Sequence, residues 1–299
     1  MKTNLSSQIT LHRVSPRYYR PENAFEKSVL TRLEKIPTDI YESVEEGANY
    51  IACEIAQTIR EKQKAGRFCV LALPGGNSPS HVYSELIRMH KEEGLSFRNV
   101  IVFNMYEYYP LTADAINSNF NALKEMLLDH VDIDKQNIFT PDGTIAKDTI
   151  FEYCRLYEQR IESFGGIDIA LLGIGRVGNI AFNEPGSSLT SRTRQKTLTT
   201  DTIIANSRFF DNDINKVPKT ALTVGVGTVL SAKEVMIIVN GHNKARALYH
   251  AVEGSITQMW TISALQMHEK GIIVCDDAAT EELKVGTYRY FKDIEKDNI

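Results

Sequence analysis

A glycine-rich segment at residues 74–80, with the sequence PGGNSPS, is the first candidate for chemistry. It follows an apolar run of strand length, and its glycines allow φ > 0 and close approach of the backbone to a ligand. Ser78 followed by Pro79 is typical of a helix start, where free N–H groups bind anions. A Walker A loop is excluded because no Lys-Ser or Lys-Thr pair follows. We predict a phosphate-binding loop, with a plain strand–helix turn as the alternative; its residues would be Gly75, Gly76, Asn77 and Ser78.

A second glycine-rich segment at residues 173–178, with the sequence GIGRVG, formally matches the dinucleotide-binding fingerprint. That fingerprint requires a long helix directly after the glycines. Here the sequence NEPG at residues 183–186 interrupts any such helix after only four residues. The pattern therefore favours a glycine-rich active-site loop at the end of a strand, and we expect no nicotinamide cofactor.

Basic side chains mark three further candidates for anion binding. Residues 187–196, with the sequence SSLTSRTRQK, combine three cations with several hydroxyls, a composition that binds phosphate through charge-assisted hydrogen bonds. A solvated polar loop is the alternative for this segment. Arg208 lies in another polar stretch of the chain. Lys244 is at the start of a predicted helix, where a cation is unfavourable with the helix dipole unless an anion binds there; a surface lysine is the alternative.

The predicted elements place these segments on one α/β framework. Unbroken apolar runs alternate with amphipathic helices, which is typical of a parallel sheet covered by helices on both faces. Strands are predicted at 68–73, 100–103, 138–139, 167–172, 221–224, 235–239 and 272–274, and helices at 44–59, 81–89, 120–128, 149–164 and 244–252. No linker or repeat divides residues 41–299, which we interpret as one domain. Residues 1–40, rich in charges and prolines, are interpreted as an N-terminal extension.

The composition narrows the classes of partner. Of 299 residues, 42% are hydrophobic and 24% charged, and the formal net charge is −4. This balance is typical of a globular protein and argues against binding to nucleic acid or to an anionic membrane. Neither a membrane-spanning apolar run nor a secretory signal is recognisable. The four cysteines are scattered without a CxxC pair, so we predict reduced thiols, no metal site and a cytoplasmic location.

Short strings in order along the chain resemble the glucosamine-6-phosphate deaminase (isomerase) family. They are FNMYEY at 103–108, IAFNEP at 180–185, SSL at 187–189, SRTR at 191–194, ANSRFF at 205–210, VPK at 217–219, ALTVGVGT at 221–228 and MWTIS at 259–263. The resemblance extends from about residue 41 to the C-terminus. It implies a modified Rossmann-like α/β fold, shared with 6-phosphogluconolactonases, and a homo-oligomer. The reaction it implies converts glucosamine 6-phosphate and water to fructose 6-phosphate and ammonia, without a metal or redox cofactor.

The resemblance also implies two ligand sites. The phosphate of the substrate would contact the loop at residues 75–78 together with Arg208 and Lys244, in agreement with the anion sites inferred from the residues themselves. In regulated members of the family, N-acetylglucosamine 6-phosphate binds a separate allosteric site. The positions that match this allosteric site are Ser187, Ser188, Arg194 and Lys196.

The acid/base positions depart from the family pattern. The family's proton-shuttling aspartate is Tyr106 here, its ring-opening histidine is Asn179, and the acidic partner of that histidine is Val177. The family's glutamate remains, as Glu184. Isomerisation moves a proton from carbon 2 to carbon 1 and needs a base with a pKa near neutral. A phenol with a pKa of about 10 is mostly protonated at pH 7, and asparagine carries no proton between oxygens.

Three functions follow from this pattern. The first, which the retained cations favour, is a hexosamine-phosphate-binding protein without deaminase turnover, acting with a partner or an attached domain. The second is an active deaminase or isomerase with rearranged acid/base groups. There, Glu107 would replace the missing base, or Arg176 would lower the pKa of Tyr106. The third is another phosphosugar reaction, such as lactone hydrolysis.

Overall fold

The computed structural model describes residues 35–294, which fold around two β-sheets. In chain order, the strands are β1 (Thr38–Tyr41), β2 (Cys69–Leu73), β3 (Val100–Asn104), β4 (Tyr106–Tyr109), β5 (Ile138–Phe139), β6 (Ile169–Gly173), β7 (Arg194–Thr197), β8 (Thr220–Thr223), β9 (Glu234–Val239) and β10 (Gly271–Asp276). The α-helices are α1 (Val44–Lys64), α2 (Ser80–Glu93), α3 (Asn119–Met126), α4 (Ile150–Ser163), α5 (Thr200–Asn206), α6 (Val226–Leu230), α7 (Ala245–Val252) and α8 (Val285–Arg289).

The larger sheet has seven strands in the order β1-β10-β9-β6-β2-β3-β5, and every neighbouring pair is parallel. The buried side chains form two large hydrophobic cores, and alternate residues of β2 contribute to each of them. Val70 and Ala72 pack into the first core, whereas Leu71 and Leu73 pack into the second. A strand buried on both faces requires covering layers on both sides, which explains the unbroken apolar runs in the sequence. The predicted α/β fold, a Rossmann-like parallel sheet with helices on both faces, is confirmed.

Helix α1 illustrates how local sequence and packing agree. The Ser43 hydroxyl accepts a hydrogen bond from the Glu46 amide at 3.2 Å and caps the helix start. Ile51, Ile55 and Ile59 recur at helical spacing on one face, and all three are fully buried. The apolar face therefore anchors the helix against the sheet, and the helix continues past the predicted end to Lys64.

The smaller sheet departs from the sequence-based prediction. Residues 221–224 were expected to add a strand to the parallel sheet, but β8 lies instead between β4 and β7 in an antiparallel sheet. Strands β4 and β7 were missed because they are short and rich in aromatic or polar residues. This sheet carries Tyr106 on β4, and Arg194 and Lys196 on β7.

The N-terminal boundary also shifts. Strand β1 pairs with β10 at the edge of the sheet, and Ile36 and Ile40 are buried in the core, so the α/β domain includes residues before position 41. The rest of the predicted N-terminal extension, residues 1–34, lies outside the described residues. Within residues 35–294, no helix is long and apolar enough to cross a membrane.

Candidate functional site

A cavity of about 680 Å³ opens at the carboxyl edge of the parallel sheet. The segments that follow β2, β6 and β9 all contribute to its wall, as expected for a ligand site in a sheet of this type. Of the predicted site residues, those that line this cavity are Gly76, Asn77, Ser78, Tyr106, Asn179, Arg208 and Lys244. The topology therefore brings together three segments that begin at Pro74, Ile174 and Asn240 and are far apart in the sequence.

The predicted phosphate loop lies where it was expected, but its local geometry differs. Ser78 does not cap helix α2; Pro79 is the N-cap residue, without a side-chain hydrogen bond, and the helix begins at Ser80. The glycines of the loop are needed for close contact rather than for positive φ. A Cβ atom on Gly75 would lie only 1.8 Å from the Asn119 carbonyl oxygen. Gly75 thus packs the loop against the protein, and the following residues face the cavity.

Lys244 and Arg208 supply positive charge to the cavity. The Lys244 Nζ atom donates a hydrogen bond to the Ile174 carbonyl at 2.6 Å. Burial, followed by repulsion from Arg208 and Arg176, lowers the pKa of Lys244 to about 8. The Arg208 guanidinium lies 4.6 Å from the centre of the Phe209 ring. A bound anion would relieve the mutual repulsion of these cations, which is the electrostatic condition for a phosphate site.

Arg176 is a third cation on the cavity wall, and the prediction of phosphate-binding residues did not include it. It lies in the second glycine-rich segment, which folds into a tight turn. The Gly178 amide donates to the Gly175 carbonyl at 3.0 Å, and the Gly175 amide donates to the Asn179 carbonyl at 2.9 Å. No long helix follows this turn, since the next α-helix is α5 at Thr200–Asn206. A basic residue in a glycine-rich loop at a strand end was the signal available in the sequence.

Tyr106, which the resemblance matches to the family's proton-shuttling aspartate, lies on the cavity wall. Its hydroxyl is 3.3 Å from where a Cβ atom on Gly76 would be, so it adjoins the phosphate loop. Burial, with a smaller contribution from Glu107, raises the pKa of Tyr106 well above its usual value. The hypothesis that Arg176 lowers this pKa is therefore wrong. The ring packs edge-on against Phe182, with ring centres 4.8 Å apart.

Glu107 is fully buried and does not line the cavity. Its carboxylate accepts hydrogen bonds from the Ser118 hydroxyl at 2.6 Å and from the Phe120 and Asn119 amides at 2.9 Å and 3.0 Å. It also accepts one from the Tyr108 amide at 2.9 Å. These contacts fix the start of helix α3 and commit the carboxylate to a structural role. The hypothesis that Glu107 replaces the missing base is wrong, because adjacent residues of β4 point to opposite faces of the strand.

The two other acid/base positions, Asn179 and Glu184, differ in whether they line the cavity. Asn179 lines the cavity, and its Nδ2 atom donates to the Ala181 carbonyl at 2.8 Å. Glu184 does not line the cavity. One of its carboxylate oxygens accepts from the Thr199 hydroxyl at 3.0 Å, and the other is buried without a hydrogen-bond partner. Burial raises the pKa of Glu184.

The second predicted anion site is distinct from the cavity, since Ser187, Ser188, Arg194 and Lys196 are all absent from its lining. The buried Ser187 hydroxyl donates to the Glu184 carbonyl at 2.6 Å. The Arg194 guanidinium donates to the Asn183 Oδ1 atom at 2.9 Å. Ser187 and Arg194 thus contact the two residues that precede Pro185. Allosteric binding at these four residues stays a prediction.

No cysteine is among the residues that line the cavity. All four cysteines are free thiols, three of them buried and Cys53 exposed. Burial raises the pKa of Cys69 to about 12, so this thiol is inert rather than nucleophilic. Among residues 35–294, no cluster of three His, Cys, Asp or Glu side chains could hold a metal ion.

A doubly covered parallel sheet with a cation-lined cavity at its carboxyl edge places the chain in the Rossmann-like α/β class. The family model described as glucosamine-6-phosphate isomerases/6-phosphogluconolactonase matches residues 42–274. The chain belongs to this family. The match spans the cavity, the smaller sheet and the parallel sheet apart from β1 and the last two residues of β10.

Relatives in sequence carry two kinds of description. A putative glucosamine-6-phosphate deaminase-like protein of Bacteroides thetaiotaomicron is 77% identical over 95% of this chain, but the match covers only 42% of that relative. The chain therefore spans less than half the length of this relative. A glucosamine-6-phosphate deaminase of the same organism is 65% identical over 85% of the chain and 93% of the relative. A Bacteroides fragilis glucosamine-6-phosphate deaminase is 62% identical, with 87% and 94% covered.

Solved structures give the same fold. A monomeric glucosamine-6-phosphate deaminase superposes with a TM-score of 0.77 and 38% identity, covering 82% of this chain and 98% of its own. The 6-phosphogluconolactonase of Trypanosoma brucei superposes with a TM-score of 0.67 over 84% of this chain and all of its own. At 19% identity, the latter comparison supports the fold alone.

Proposed function

We propose that this chain binds a hexosamine phosphate and has lost or strongly reduced the deaminase reaction of its family. One observation carries the proposal: the cavity keeps its phosphate loop and basic side chains, while the two proton-transfer positions on its wall hold a phenol and an amide. Binding and proton transfer use different groups in this cavity, so one can persist without the other.

The binding half of the proposal rests on charge. Arg176, Arg208 and Lys244 line the cavity against a single carboxylate, Asp201. Asp201 lies in the first turn of helix α5, where the helix dipole already favours a negative charge. The net positive charge of the cavity fits a phosphate monoester, which carries about −1.5 to −2 at pH 7.

The catalytic half rests on the missing base. Tyr106 remains protonated at neutral pH because burial raises its pKa, and Asn179 cannot accept and release a proton. Glu107 and Glu184 are held away from the cavity. A positioned acid/base group contributes a rate factor of roughly 10²–10⁴, so the loss of two leaves a very slow enzyme. The proposal excludes both routes by which Tyr106 or Glu107 would restore turnover.

Location and assembly are part of the proposal. We propose a cytoplasmic protein, because its thiols are free, and a homo-oligomer, because the family resemblance implies one. The 77% identical relative is more than twice as long as the matched region. This length supports an attached domain as the partner of the sugar-phosphate site.

The test measures binding and turnover in one sample. Glucosamine 6-phosphate is titrated into the purified chain by calorimetry, and ammonia release is followed in the same solution. We expect saturable binding without ammonia above the blank. Lys244→Ala should weaken binding about 10-fold to 100-fold, because a charge-assisted hydrogen bond is worth about 1.5–3 kcal/mol.

The matched control is Lys270→Ala, which removes an exposed lysine paired with Glu234 outside the cavity and should bind normally. Absence of binding to glucosamine 6-phosphate and to its N-acetylated form would refute the proposal. Ammonia release that Glu184→Gln abolishes would establish the active deaminase instead. Hydrolysis of 6-phosphogluconolactone would establish the lactonase function.

A further inference from the structure

Arg176 has no ion-pair partner among residues 35–294, although it lies on the cavity wall. Its loop is fixed close to Lys244, because Lys244 donates a hydrogen bond to the carbonyl of Ile174, two residues before Arg176. The charge of Arg176 in turn contributes to the lowered pKa of Lys244. Three cations thus converge on a cavity where one phosphate group would neutralise about two charges.

The wall beside Arg176 carries no opposing charge. Its loop continues through Val177 to Asn179, and Tyr106 lies on the same cavity; all three side chains are neutral at pH 7. The one lining carboxylate, Asp201, belongs to helix α5 rather than to this loop. The cavity volume of about 680 Å³ lies in the range that holds ligands larger than a single phosphate group.

We propose that Arg176 binds a second anionic group, so that the cavity takes a phosphosugar that is also an acid or a bisphosphate. The inference rests on the proposed function, because the phosphate loop, Arg208 and Lys244 bind the first phosphate. A planar guanidinium binds a carboxylate or a phosphate through two parallel hydrogen bonds, so the chemistry common to both ligand types is a second anion on the same sugar.

The experiment compares three probes by calorimetry at one ionic strength: glucose 6-phosphate, 6-phosphogluconate and fructose 1,6-bisphosphate. Either doubly anionic probe should bind at least about tenfold tighter than glucose 6-phosphate, as expected for one added charge-assisted contact. The probe that binds more tightly than glucose 6-phosphate shows whether the second anionic group is a carboxylate or a phosphate. Arg176→Ala should remove this gain, so the doubly anionic probes should lose more affinity than glucose 6-phosphate does.

Two further variants sharpen the result. Val177→Asp places a carboxylate next to Arg176 and should also remove the gain, without removing the guanidinium. Arg155→Ala, the matched control, removes an exposed arginine of helix α4 that pairs with Glu152, and should change nothing. Circular dichroism of each variant checks that the fold is intact.

The possible failures are distinguishable. Equal affinity for all three probes would overturn the second-anion inference and leave the proposed function standing. An equal loss for all three probes in Arg176→Ala would also overturn it, because Arg176 would then serve the single phosphate. Absence of binding by every probe, including glucosamine 6-phosphate, would refute the proposed function and this inference together.

Discussion

Two sets of residues that line the cavity, called here the cationic side and the neutral side, differ both in charge and in how the fold holds their side chains. The cationic side consists of Arg176, Arg208 and Lys244. Of these three, only Lys244 is held by a short hydrogen bond, which it donates to the Ile174 carbonyl. The neutral side consists of Tyr106 and Asn179, which are packed against the phosphate loop and hydrogen-bonded to the backbone, respectively. Glu107 and Glu184 are buried, and they accept hydrogen bonds from the Ser118 and Thr199 hydroxyls, respectively, neither of which lines the cavity.

Under the proposed function, this contrast means that binding and catalysis separate on one scaffold. A phosphate site needs positive charge and free N–H groups, which survive changes elsewhere on the wall. Proton transfer needs a group whose pKa is close to the working pH and that lies within reach of one carbon atom. Replacing that group by one neutral side chain is enough to prevent the transfer. A sequence can therefore retain the strings of its family and still lose the reaction.

The largest expected effect comes from rebuilding the neutral side. The triple variant Tyr106→Asp, Val177→Asp and Asn179→His restores the acid/base residue types of the family pattern. We expect ammonia release from glucosamine 6-phosphate to rise by roughly 10²–10⁴-fold over the unmodified chain. The same triple variant carrying Lys244→Ala is the control and should show little of this gain at low substrate concentration. A native chain that turns over as fast as the triple variant would contradict the contrast between the two sides.

Glu107→Gln tests whether the buried carboxylate behind the neutral side is structural. The amide can accept at only one atom, so donors that now contact the second carboxylate oxygen would face an NH₂ group. We expect the free energy of unfolding to fall by about 2 kcal/mol, with unchanged affinity for phosphosugar. Urea denaturation measures the change, and Glu162→Gln, at an exposed position of α4, is the matched control. If the native chain instead released ammonia and Glu107→Gln abolished that release at unchanged stability, Glu107 would be identified as the base.

The cationic side predicts a pH-dependent affinity. The pKa of Lys244 is lowered to about 8, so in the unliganded protein its charge is lost as the pH rises through 8. Binding of glucose 6-phosphate, which has no amino group to titrate, should weaken roughly fivefold between about pH 8 and pH 9. Lys244→Arg stays charged throughout this interval, so its affinity should not show this decline. Identical calorimetric profiles for the two proteins would rule out Lys244 as the titrating group.

The smallest effect is expected for Glu184→Gln. The folded-state pKa of Glu184 lies above its ordinary value, so folding favours the protonated carboxyl. This contribution to stability is present at pH values below the unfolded pKa and is lost as the pH rises through the folded pKa. The glutamine stays neutral, so the variant should lack this part of the pH dependence of Tm. Glu281→Gln, at an exposed position, should keep the native dependence.

Several elements and site residues could be predicted because their signals are local. The apolar runs that became β2, β6, β9 and β10 follow from burial on both faces, and the periodicity of α1 follows from one buried face. The position of the glycine-rich turn between a strand and a helix was predictable from local sequence, whereas its phosphate binding stays a prediction. The capping role of Ser78 was wrong because Pro79 holds the capping position without a side-chain bond.

The sequence by itself determined the α/β class, the glycine-rich turn after β2 and the absence of an ionisable acid/base side chain at Asn179, because residue type and local period carry that information. Tertiary structure alone decided that β8 joins an antiparallel sheet, that Glu107 turns into the core and that Arg176 lies near Lys244. These outcomes depend on which distant segments meet. Residue spacing fixes the face of an element, but only packing against a partner decides what that face contacts.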